Sequence, residues 1–192
     1  MYSSVCFVIV ASLLTTFSVA QDSITDETTD SRLNNAGSFL ATVEQLTDSV
    51  DGSLRVIRLD VRLKNATDHT LILAYRARSS SVVDDSGNSY YCCFPKEGID
   101  RSASGIGTNN GKETDPQFIL EPKQSDSVTF KLFGNRNQGK PRIFRFHVTI
   151  DEMDSDNPKQ LKREHALHFG DLKVSWSRRT SKKTSSQKAV NP

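Results

Sequence analysis

Apolar and polar residues alternate with a period of two along most of this chain. In the stretch 54–64, Ile57, Leu59, Val61 and Leu63 fall on one face, and Arg58, Asp60, Arg62 and Lys64 on the other. Such alternation predicts an antiparallel strand with one buried and one wet face. Asn65-Ala-Thr-Asp68 follows as a turn, because Asn and Asp side chains bond their own backbone. Thr70 to Tyr75 reads as the return strand. Val82-Val83 and Tyr90-Tyr91 flank Asp84-Asp-Ser-Gly-Asn88, a hairpin signal through Gly87. Phe118-Ile-Leu120 leads into a turn at 121–125. Val128, Phe130 and Leu132 then alternate with polar residues, as do Phe144, Phe146, Val148 and Ile150. His165 to Trp176 gives one or two short strands broken near Gly170-Asp171, with Trp176 in the core, and Phe39 to Leu46 adds a first strand.

No window carries a sustained 3.6-residue stripe, and the best helical stretch, Asn157 to Glu164, is short. The expected fold is therefore all-β, an antiparallel β-sandwich of seven to nine strands over residues 38–176. Between Cys93 and Gln117 lie four glycines, Pro116 and little apolar material. A connection of that length without structure of its own points to a binding surface. Its expected contact residues are Lys96, Ile99, Arg101, Ile106, Asn109 and Lys112.

The two ends differ from the body. Val5 to Ala20 holds no charged residue and ends in Ser18-Val19-Ala20, the layout of an export signal cleaved before Gln21. The expected address is periplasmic or extracellular, the alternative being tethering by an uncleaved segment at 1–20. No later stretch is apolar enough to span a membrane. Residues 21–37 read as an acidic disordered linker, with Asp22, Asp26, Glu27 and Asp30 against Arg32. Residues 177–192 read as a basic disordered tail. The formal charge of +2 hides this segregation. Arg178, Arg179, Lys182, Lys183 and Lys188 are the residues that would meet a polyanion. With no aromatic after Trp176 to stack on bases, and with export expected, nucleic acid is not an expected partner.

The succession Val61-Arg-Leu-Lys-Asn-Ala-Thr67, Leu71-Ile-Leu73, Asp85-Ser-Gly-Asn-Ser-Tyr90, Phe118-Ile-Leu-Glu-Pro122 and Val128-Thr-Phe130 resembles a group of exported bacterial immunoglobulin-like sandwiches. That group is loosely related to the mycobacterial immunoprotective extracellular antigen. Gly105-Ile-Gly107 running into Asp115-Pro-Gln-Phe118 adds to the likeness, which covers roughly residues 54–150. The same order occurs in bacterial intracellular proteinase inhibitors of similar fold. The resemblance implies an immunoglobulin-like fold and a compartment, and brings no catalytic residues. One departure is Pro122-Lys123, where such domains often have Pro-Gly, so a different turn type is expected there.

Candidate chemistry is sparse. Cys92 and Cys93 are adjacent, and consecutive Cα atoms sit about 3.8 Å apart, below the usual disulfide range. Three states compete: a strained vicinal disulfide, an intermolecular bridge, or one buried and one exposed thiol. His165 and His168 lie three apart in a strand and face opposite sides, His147 lies on a polar face and His69 in a turn. No metal or cofactor is expected. Asp151, Glu152, Asp154 and Asp156 lack the glycine and terminal Glu of a calcium loop and read as a solvated loop. Asn65-Ala-Thr67 matches a glycosylation acceptor, which matters only in a eukaryotic secretory route. No Gly-x-Ser-x-Gly elbow or phosphate cradle occurs. The expectation is a non-catalytic exported module that binds a protein or cell-envelope component. The alternative is a proteinase inhibitor presenting one loop to a protease.

Overall fold

The computed structural model describes residues 30–92, 102–111, 114–115, 118–137 and 139–174. The chain is all-β, with no helix among the described residues. Twelve strand segments follow in order: β1 (Leu33–Asn35), β2 (Phe39–Asp51), β3 (Leu54–Asn65), β4 (Leu71–Arg76), β5 (Ser81–Asp84), β6 (Ser89–Tyr91), β7 (Ala103–Ser104), β8 (Thr108–Asn109), β9 (Phe118–Leu120), β10 (Ser125–Asn135), β11 (Ile143–Met153) and β12 (Leu161–Lys173). One layer is the antiparallel run β1-β2-β3-β10. The other is built around β11, paired with β12 on one side and with β4 and β5 on the other. The β5–β6 hairpin joins the layers, since β6 pairs with β10 at Phe133↔Tyr91.

Period-two patterning decides what lies between the layers. Ile57, Leu59, Val61 and Leu63 of β3, Val128, Phe130 and Leu132 of β10, and Phe144, Phe146, Val148 and Ile150 of β11 are all buried. The layers meet through rings: Phe130 lies 5.7 Å from Tyr75 of β4 and 5.3 Å from Phe146 of β11, centroid to centroid. Tilted and edge-on contacts at these separations add to the area buried by each ring.

The strand count exceeds the seven to nine expected, for two physical reasons. The linker expected over 21–37 is ordered at its C-terminal end, because β1 pairs with β2 from Leu33↔Thr42 to Asn35↔Leu40. The long connection after β6 places two short strands on the sandwich, β7 on β10 and β8 parallel to β4. Working the other way, the expected break at Gly170-Asp171 is only a bulge inside one continuous strand, where Phe144↔Leu172 gives way to Phe146↔Phe169 and Asp171 takes φ of 48°.

The departure at Pro122-Lys123 also resolves. Gln124 N donates to Glu121 O at 3.0 Å, and Lys123 has φ of 65°. A positive φ at the third position is the signature of a type II turn, so the turn type expected from Pro-Gly is kept with lysine in the strained place. The Lys123 ammonium donates to Ala66 O at 3.2 Å across the end of the sheet. No helix among the described residues is long and apolar enough to cross a membrane.

Candidate functional site

Two of the expected binding-loop residues face inward. Ile106 packs against the core, and Asn109 is buried with its amide on Asp151 at 2.7 Å. They are structural pins rather than exposed contacts, which corrects the sequence reading. The segment 102–111 is fastened to both layers. Tyr75 N donates to Gly107 O and Ala77 N to Asn109 O, each at 2.8 Å, while Lys131 N donates to Ser102 O at 2.6 Å. The buried hydroxyls of Tyr75, Ser80 and Ser102 bond one another at 2.9–3.3 Å, which satisfies three polar groups beneath this strap. Gly105 permits the close approach: its φ is +86°, and a Cβ there would stand 3.0 Å from Ser127 O. Lys96, Ile99, Arg101 and Lys112 lie outside the described residues, as do Cys93, Trp176 and the tail residues Arg178, Arg179, Lys182, Lys183 and Lys188. Cys92 is buried at the end of β6.

The acidic group expected to be a solvated loop splits in two. Asp154 and Asp156 stand in the turn after β11, where the Asp154 carboxylate accepts from Asp156 N at 2.8 Å. Asp151 and Glu152 belong to β11 and are 0% and 3% exposed. Adjacent strand residues point to opposite faces, so each has its own cage. Asp151 accepts from Asn109 and from Arg76 Nε at 3.2 Å, and its Oδ1 faces the Arg76 guanidinium at 3.0 Å as an ion pair. Arg76 also reaches Glu164 at 2.5 Å. Glu152 lies on the core face. It accepts from Ser38 Oγ at 2.7 Å and pairs with His165 Nε2 at 3.0 Å and Lys162 Nζ at 2.8 Å. Burial works to raise this carboxyl, but the Lys162, Ser38 and His165 contacts outweigh it and hold it at about 2. His165 is in turn fixed by Phe39, edge-on at 5.0 Å.

On the outer face of the same hairpin, His147 and His168 are directly opposed, as β11–β12 register partners. Their Nδ1 atoms are 2.6 Å apart and their ring centroids 4.6 Å. Burial, His168 and Arg145 all disfavour the protonated form of His147. Sequence spacing rightly separated His165 from His168, since one is buried and the other exposed, but did not bring His147 to His168. Among the described residues no group of three or more His, Cys, Asp or Glu side chains converges as a metal site.

Elsewhere, polar groups serve the frame. Asn65 is fully buried, and its amide donates to His69 O at 2.7 Å, Leu120 O at 2.9 Å and Glu121 O at 3.2 Å. Its Oδ1 accepts from Thr67 N and Thr67 Oγ1. The nitrogen that a glycan would need is therefore committed within the folded domain. Asp84 caps its hairpin, accepting from Ser86 N, Asn88 N and the Tyr90 hydroxyl. Arg55 and Asp48 form a buried ion pair across the β2–β3 hairpin, with Gly139 O accepting from the same guanidinium.

No protein-family model matches the chain. No functionally curated protein matches it in sequence. Among solved structures it is similar to a structural-genomics target designated SoR45, with 8% identity over 77% of this chain and 94% of that one, TM-score 0.43. An uncharacterised β-sandwich protein from Clostridium difficile 630 aligns at 9% identity over 71% of this chain and 88% of that one, TM-score 0.35. A conserved hypothetical protein from Bacillus anthracis aligns at 12% identity over 71% and 92%, TM-score 0.36.

Proposed function

We propose that this chain is an exported, non-catalytic β-sandwich that acts by binding a protein or cell-envelope component, akin to the antigen-related immunoglobulin-like group its sequence resembles. The observation carrying this reading is that its buried ionisable groups are occupied in holding strands together. Asp151 is caged by Arg76 and Asn109, Glu152 by Ser38, His165 and Lys162, and Asp48 by Arg55. A general acid or base must reach a substrate proton, and these carboxylates face their own sheet. Binding then falls to the surface that segment 102–111 pins in place and to the neighbouring stretch from Cys93 to Arg101.

Two measurements test this. The full chain expressed in a secreting host is expected to be released with a mass that begins at Gln21; retention in membranes with residues 1–20 attached would overturn release. The released protein, cross-linked in envelope extract, is expected to capture a saturable partner that free protein competes away and that maps near 93–111. Loss of every partner on deletion of 177–192 would move the function to the basic end.

A further inference from the structure

We propose that His147 and His168 form a surface site for a divalent transition-metal ion of the class that prefers imidazole, such as Cu²⁺, Ni²⁺ or Zn²⁺. The argument starts from the sheet. Residues directly opposed on antiparallel strands hold their Cβ atoms about 4.5–5.5 Å apart on one face, and two imidazoles so placed either diverge or converge. These converge, with Nδ1 facing Nδ1 at 2.6 Å. At that separation both nitrogens cannot carry a proton, so at least one lone pair points into the gap. A lone pair held there accepts a cation, either a shared proton or a metal.

The spacing suits the metal with little movement. With metal–nitrogen bonds of about 2.0–2.1 Å, two cis ligands stand about 2.9 Å apart at a right angle and about 3.4 Å apart at a tetrahedral angle. The rings need to part by a few tenths of an ångström for the square arrangement that Cu²⁺ and Ni²⁺ prefer. A parting of that size is within reach of small side-chain torsion changes, His168 being exposed and His147 half-buried. The hairpin fixes the two Cα atoms beforehand through continuous pairing from Phe146↔Phe169 to Glu152↔Arg163. His168 is further tied by its carbonyl, which accepts from Asn34 Nδ2 of β1 at 3.2 Å. Among the described residues no carboxylate joins the pair as a third ligand, and Arg145 adds positive charge nearby. The remaining coordination positions therefore open to solvent, and affinity is moderate. An ion held this way keeps positions for a donor from a second molecule.

The test uses the full chain, titrated with Ni²⁺ and Zn²⁺ by calorimetry and with the histidine Cε1–H resonances followed by NMR. The expected result is one site whose binding shifts the His147 and His168 lines, leaves those of His69 unmoved, and raises the melting temperature. His147→Gln and His168→Gln are each expected to weaken it by about tenfold or more, while His69→Gln leaves it intact. Both residues lie on the outer face, and melting curves without metal confirm that the variants fold. Equal affinity in the wild type and both variants would overturn the site, as would metal-induced shifts confined to other groups or no saturation below millimolar metal.

Discussion

Neutralising Glu152 with the shape kept, by Glu152→Gln, tests whether the buried cage on β11 stabilises the domain. Its carboxyl is held at about 2 against an ordinary 4.5. At about 1.4 kcal/mol per pKa unit, a drop of this size is worth about 3 kcal/mol. Lys162, one of the three partners, is half exposed, so its share is screened and the expected loss at pH 7 is about 2–3 kcal/mol. The sign follows from the direction of the displacement. A carboxyl held low in the folded state stabilises above its unfolded pKa, and that contribution fades as pH falls from 4.5 toward 2. Urea denaturation of wild type and variant between pH 7 and 2 should therefore give curves well separated at neutral pH that close to about 0.5 kcal/mol at pH 2. Asp84 and Asp68, also held low, titrate equally in both proteins and cancel in the difference. A gap that stays constant between pH 4.5 and 2 would refute the reasoning, because the loss would then come from shape and not from charge.

Three further perturbations follow from the frame. Asn65→Ala leaves the carbonyls of Leu120 and His69 without their buried donor and should cost about 2–4 kcal/mol in denaturant midpoint; a change under 0.5 kcal/mol would contradict the anchoring role. Lys123→Gly relieves a left-handed lysine at the expense of added chain entropy, and thermal melts should show a gain of about 0.5–1 kcal/mol. Asn109→Ala removes a donor from fully buried Asp151 and unpins segment 102–111. Amide hydrogens of Tyr75 and Ala77, bonded to that segment, should exchange faster than in the wild type, while those of β3 do not.

The fold was legible where one face of a strand is apolar and the other charged. Ile57 to Leu63, Val128 to Leu132 and Phe144 to Ile150 all point inward as their alternation requires. The short strands were not legible. β7 and β8 are two residues each, and what fastens them is backbone pairing, the Ser102 hydroxyl and the Asn109 amide, none of which leaves a pattern. The buried acids were hidden for a different reason. A run containing Asp151 and Glu152 reads as wet by residue type, and the groups that make burial tolerable are remote in sequence: Ser38, Arg76, Asn109 and His165. A buried carboxylate without such partners would cost several kcal/mol, so composition alone argues for the surface.

The histidine pair marks the step between these cases, because its ingredients were visible and only the register was missing. Near the turn the β11–β12 hairpin pairs Met153 with Leu161, and that register, continued, would set His147 against Leu167 and Phe146 against His168. A one-residue slip exchanges the faces of a strand, so a wet histidine would have stood over the core opposite Phe146. The irregularity between Met153 and Glu152 shifts the pairing by one residue, to Glu152↔Arg163. The shift restores Phe146↔Phe169 and Val148↔Leu167 as apolar pairs, and the same shift sets His147 opposite His168. The juxtaposition of the two imidazoles is thus a consequence of core matching. In a variant lacking Lys162, the extra residue at that irregularity, Met153↔Leu161 runs straight into Glu152↔Arg163, so the two imidazoles should stay opposed and metal binding should persist, while stability falls only by the lost Lys162–Glu152 contact. Loss of metal binding in a variant that still folds would show that core matching does not set the register.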